Sequence, residues 1–65
     1  MKIKIVDYEK NAARVIDYPG TIKLYIGVHF GAWGFYTITR DGRAYHVTDR
    51  FTGELLYTVA PGGRG

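Results

Sequence analysis

Asp41-Gly42 stands between two runs that alternate apolar and polar side chains, "FYTITR" before it and "RAYHVTD" after it. A dipeptide that tolerates positive φ, set between two period-two runs, is the strongest short-range signature of a β-hairpin. A hairpin commits this part of the chain to antiparallel pairing. With Asp41-Gly42 as a two-residue loop, Arg40 faces Arg43, Ile38 faces Tyr45 and Tyr36 faces Val47. With "GAW" as a three-residue loop, Val28 faces Tyr36 and Ile26 faces Ile38. Both loops put the same side chains on one apolar face. A one-residue slip would invert every side chain, so this agreement supports the register. The other face then carries three rows: His29, Phe35 and Thr48; Gly27, Thr37 and His46; Tyr25, Thr39 and Ala44. They form a shallow shelf of small residues beside two aromatics and two histidines.

The remaining segments read the same way. "KIKIVDY" alternates, with Ile3 and Ile5 on one side and Lys2 and Lys4 on the other. "EKNAARVIDY" admits two readings, a short helix capped by Asp7 or a turn at Asn11 followed by a strand. Val15, Ile16 and Tyr18 favour the strand. Pro19-Gly20 suits a type II turn, with the glycine at positive φ. "TIKLYIGVHF" reads as a strand with Ile22, Leu24, Ile26, Val28 and Phe30 on one face. "FTG" is a turn, "ELLYTVA" is the last strand, and "PGGRG" is a flexible tail. The expected architecture is all-β: one small domain over residues 1–60, a barrel or curved sheet of five to six short antiparallel strands, with a Gly-rich tail over 61–65.

Composition narrows the chemistry. A chain of 65 residues buries only roughly 60% of its unfolded surface. It has no cysteine, so neither a disulfide nor a thiolate metal site supports it. Its ten aromatics (one Trp, six Tyr, three Phe) must form the core, a partner surface, or both. No run approaches the ~20 apolar residues of a membrane span, and the opening lacks the apolar stretch of a signal peptide. The expectation is a soluble, cytosolic protein with no membrane association.

Nucleophilic catalysis is poorly supplied. Serine and cysteine are both absent, which leaves threonine hydroxyls that need an adjacent base. His46 and Asp49 at i, i+3 of a strand point to opposite faces. His29 and His46 share a face but stand roughly 10 Å apart by sheet spacing, too far to hold one metal ion. The glycine-rich pieces lack the Gly-Lys-Ser/Thr ending of a phosphate loop. No catalytic residue, metal or cofactor is expected.

The charge is a mild +3, but it is unevenly distributed: all four lysines precede Tyr25 and four of the five arginines follow it. Arginine gives planar, bidentate recognition of phosphate or carboxylate. Opposed arginines in a hairpin repel by a few tenths of a kcal/mol up to ~1, unless they splay into water with Asp41 screening both. The functional reading is a fork of Arg40 and Arg43 for an external anion, with Arg50 joining from the next turn. Tyr25 and Phe35 would offer stacking surface, with His46 on the same shelf. Trp33 is either a lid folded on the barrel end or an anchor presented to a partner, with His29 nearby.

"DGRAYHVTDRFTGELLYTVAPGG" resembles one strand–turn–strand segment of the quinoprotein-type β-propeller repeat, with Asp49, Thr52, Gly53, Glu54 and Tyr57 at the matching places. Tyr57 stands where that family usually has tryptophan. The resemblance covers about a third of the chain, and a propeller needs several blades. It therefore implies shared turn chemistry and no cofactor.

These residues lead to a non-catalytic binding module for an anionic ligand, single-stranded nucleic acid or a nucleotide, held by arginines and stacked on an aromatic. The alternative is a protein-interaction module or small inhibitor, of the kind phages and other mobile elements encode. It would dock through its Trp, Phe and Tyr patch, or pair with its own copy as a homo-oligomer through exposed strand edges.

Overall fold

The computed structural model describes residues 1–31 and 34–62. Five strands, β1 (Lys2–Asp7), β2 (Ala12–Asp17), β3 (Tyr36–Asp41), β4 (Ala44–Asp49) and β5 (Leu55–Pro61), form one sheet in the order β2-β1-β5-β4-β3. Every neighbouring pair is antiparallel. The chain is mostly β, as its alternation predicts. The sheet is open, with β2 and β3 at its edges.

Two hairpins are closed by the same device. The Asp7 carboxylate accepts the backbone N–H groups of Glu9 and Lys10, both at 3.1 Å, and the loop ends on Asn11 at φ 51°. The Asp49 carboxylate accepts those of Phe51 (2.8 Å) and Thr52 (3.0 Å), and that loop ends on Gly53 at φ 75°. In each, an aspartate folds the chain back locally and a residue tolerant of the left-handed region releases it into the next strand. This settles Glu9 to Arg14 as turn and strand. It also accounts for the strand–turn–strand at Asp49 and Gly53 through turn chemistry alone. β5 carries a register shift against β4, with Val47 opposite Tyr57 but Thr48 opposite Leu55.

The third hairpin differs from its expected register. Its loop is Gly42-Arg43, with Asp41 opposite Ala44, Arg40 opposite Tyr45 and Ile38 opposite Val47. Gly42 has φ 61° and Arg43 does not share the positive sign, the pattern of a type II′ turn with glycine first. One positive φ suffices, so Asp41 stays in the strand. The arginines never face one another, and the face assignments survive because the register moves by an even step.

The larger correction is at "TIKLYIGVHF", expected as a strand. Ile22–Ile26 is an α-helix (α1), and Gly27–Gly31 continues it as a π-helical turn. Thr21 caps it, its hydroxyl accepting the Leu24 N–H at 3.2 Å. Ile22, Tyr25, Ile26 and Phe30 are buried, at helical spacing, while Leu24 and Val28 stay exposed at 54% and 58%. A single sheet with one apolar face needs a second layer, and the helix supplies it. It covers Ile3, Ile5, Val47 and Val59, with Tyr36, Ile38, Tyr45 and Tyr57 packed around them. Burial of that stripe outweighs the strand preference of its β-branched residues. Gly20 does not take the positive φ of a type II turn. A Cβ there would lie 2.6 Å from the Leu24 Cδ2, the tip of an exposed side chain that can swing aside.

β5 extends through Pro61, and the Gly62 N–H bonds the Lys2 carbonyl at 2.8 Å. A Cβ on Gly62 would sit 2.9 Å from the β1 backbone. The ordered sheet therefore reaches past the boundary expected at residue 60. The rest of the tail, Gly63 to Gly65, lies outside the described residues.

Candidate functional site

A cleft of about 450 Å³ lies between the β1–β2 hairpin and the helix. Arg14 pairs with Ile5, which puts it on the helix-covered face of the sheet, and Lys10 comes from the loop beside it. The helix supplies Tyr25, His29 and Phe30, and β5 supplies Tyr57. The His29 ring lies against Tyr25, with centroids 4.2 Å apart and planes tilted by 30°. Phe30 reaches Tyr57 at 5.2 Å. One wall is thus aromatic and the other carries two cations. Neither Lys10 nor Arg14 has an ion-pair partner among the described residues. Asp7 also lines the cleft, but its Oδ1 is engaged by the two N–H groups of its own turn. Burial raises the Tyr57 phenol above its ordinary value of 10.0, and the Asp7 carboxylate adds to the shift. Tyr57 is therefore a neutral member of the aromatic lining of the cleft.

The residues expected to form the site are dispersed. Arg40 folds back on its turn, its Nε donating to the Gly42 carbonyl at 3.0 Å. Arg43 occupies the turn itself. Arg50 stands at the other end of β4, a strand's length of ~20 Å away, and its Nη1 donates to the Gly34 carbonyl at 3.1 Å. The expected three-arginine fork is not one site. Tyr25 is a core residue, only 5% exposed, rather than an outer-face one. Phe35 is exposed, beside Phe51, on a groove that also carries Glu9, Asp49 and Glu54. Trp33 lies outside the described residues.

The two histidines, expected on one face, lie on opposite sides of the sheet, His29 on the helix and His46 on the open face. Among the described residues no three His, Asp or Glu side chains converge as a metal site. His46 belongs to a hydrogen-bonded run. Its Nδ1 is 2.9 Å from Thr58 Oγ1, which is 2.8 Å from the Tyr8 hydroxyl, and its Nε2 is 3.3 Å from Asp41 Oδ2.

Lys10, Arg14 and Thr58 were missing from the expected site. Arg14 had a signal: in "ARVID" it shares the parity of Ile16, and so the apolar face of β2. Thr58 had none, because its meeting with His46 depends on β5 returning between β1 and β4. Among the described residues no helix is long and apolar enough to cross a membrane. Compared with known protein families, curated proteins and solved structures, the chain matches none.

Proposed function

We propose that this chain is a binding module for a small anionic ligand with a planar ring, of nucleotide-like chemistry, seated in the cleft between the β1–β2 hairpin and the helix. The observation that carries the reading is the cleft itself, where Lys10 and Arg14 face an aromatic wall of Tyr25, His29 and Tyr57. Its volume falls in the range of ~300–1,000 Å³ usual for small-ligand sites. Arg14 engages the phosphate through its fork of donors, and a base stacks beside the exposed His29 ring. Binding of this kind needs no covalent chemistry.

Titration with adenosine triphosphate, followed by amide chemical shifts at low and high salt, tests the reading. The expected result is a set of shifts confined to the cleft, weakened by salt. Arg14→Ala should lose about 1.5–3 kcal/mol of binding, the worth of a charged hydrogen bond, while Arg40→Ala with Arg43→Ala should bind as the native chain does. Binding indifferent to Arg14→Ala would overturn it.

A second reading is docking on a protein or on a second copy. It is supported by the exposure of Phe35 (57%) and Phe51 (79%) beside three carboxylates, and by the two open sheet edges.

A further inference from the structure

The open face of the sheet holds a chemical arrangement unrelated to the cleft. Thr58 and His46 are directly paired across β5 and β4, and Val6 faces Thr58 from β1. Tyr8 and Lys4 are the residues two positions either side of Val6, so both are diagonal neighbours of Thr58 and within reach of it. Asp41, held in β3 by the Gly42-Arg43 turn, closes the row beyond His46. The contacts run Tyr8 hydroxyl to Thr58 Oγ1 at 2.8 Å, Thr58 Oγ1 to His46 Nδ1 at 2.9 Å, and His46 Nε2 to Asp41 Oδ2 at 3.3 Å.

The proton directions follow from the far end. A carboxylate only accepts, so neutral His46 carries its hydrogen on Nε2 and donates it to Asp41. Nδ1 is then an acceptor, and Thr58 donates to it. The Thr58 oxygen in turn accepts from Tyr8. This is a hydroxyl with a base in hydrogen-bond contact, and a carboxylate orienting that base, which is the arrangement that activates a nucleophile. Compared with the serine-hydrolase template, the two ring nitrogens have exchanged places.

We propose that Thr58 is a nucleophilic hydroxyl that accepts acyl groups from activated esters, with His46 as its base and Asp41 as a positioning residue. The Thr58 oxygen attacks the ester carbonyl carbon while its proton passes to His46 Nδ1, and Asp41 stabilises the imidazolium. The tetrahedral species then breaks its bond to the leaving oxygen, which takes the proton back from Nδ1. The products are the free alcohol, neutral His46 and an ester on Thr58. Water repeats the sequence, giving its proton to Nδ1, and releases the acid.

The Tyr8 hydroxyl stands close enough to donate to the developing oxyanion, and Lys4 adds positive charge. Backbone N–H groups cannot form the oxyanion hole, because β5 is paired on both sides and its amides are spent in the ladders. The first acyl transfer is therefore the step to observe, with slow release after it.

The test is incubation of the full chain with p-nitrophenyl acetate, with the adduct located by peptide mass mapping. The expected result is one acetyl on Thr58. It should be absent in Thr58→Val and formed at least about 100-fold more slowly in His46→Gln, the usual contribution of a general base. Imidazole nitrogen shifts should report hydrogen on Nε2 in the native chain. Asp41→Ala should lose that preference and slow acylation without lowering the melting temperature. Acetyl groups confined to lysines and the amino terminus would overturn the proposal, and this outcome is read on the native chain whether or not any variant folds. So would Thr58 acetylation at the native rate in His46→Gln.

Discussion

Asp7 and Asp49 do the same work at two corners of the sheet, and their position in each turn is what makes the carboxylate matter. At Asp49, the N–H groups of Thr52 and Phe51 bond the ionised form and hold its pKa below the ordinary 3.8. The unfolded chain offers no such donors. A group whose pKa is lowered by folding contributes stability that is fully present above its unfolded value and is lost as pH falls through its folded one. Melting temperature should therefore fall as the solution is acidified through 3.8 and below. Asp49→Asn keeps an acceptor for the two N–H groups but cannot titrate. Thermal melts across that range should show a shallower fall for Asp49→Asn than for the native chain. Parallel curves would mean that the turn does not distinguish the ionised aspartate. The turns at Asn11 and Gly53 were legible locally, since a turn is written within four or five residues. The partnership of His46 with Thr58 was not, because Thr58 comes from β5, twelve residues on, and meets it only when the sheet closes.

At the level of elements, the five strands were legible and the helix was not, and the reason lies in one segment. Ile22, Leu24, Ile26, Val28 and Phe30 satisfy a period of two, while Ile22, Tyr25, Ile26 and Phe30 satisfy a helical one. Local preference favours the strand. The deciding term is non-local: among the described residues, the apolar face built by Ile3, Ile5, Val47 and Val59 has no other cover. The two readings agree that Ile26 is buried and disagree about Leu24, which makes the pair diagnostic. Ile26→Ala should cost about 2–5 kcal/mol as a core cavity. Leu24→Ala, at an exposed helical position, should stay within about 0.5 kcal/mol. Denaturant melts of both variants check this, and comparable large losses would restore the strand. The arginine fork, by contrast, was undone by local turn chemistry. A one-position change in which residues form the turn carried Arg43 out of the ladder and left Arg40 opposite Tyr45.

For the whole molecule, the open sheet leaves two edges, and the strand geometry says where an edge can be blocked without harm. The Tyr18 N–H bonds the Met1 carbonyl at 2.8 Å. In an antiparallel ladder, bonded and non-bonded pairs alternate, so Ile3/Ile16 and Ile5/Arg14 are bonded and Lys4/Val15 is not. The Val15 N–H therefore points away from β1, toward any strand that would add to the edge. On β3, the Arg50 N–H to the Phe35 carbonyl fixes the alternation in the same way and turns the Arg40 N–H outward. Proline at an outward position removes a free donor and no ladder bond. If two copies pair through these edges, their association should strengthen as salt screens the repulsion between chains of charge +3. Light scattering over a concentration series at high salt should then show a rising mass for the native chain. Val15→Pro combined with Arg40→Pro should remain at the monomer mass, with a melting temperature close to native. A mass that still rises in that double variant would move the contact to Phe35 and Phe51. A native chain that stays monomeric throughout would remove self-pairing and leave the cleft as the surface to pursue.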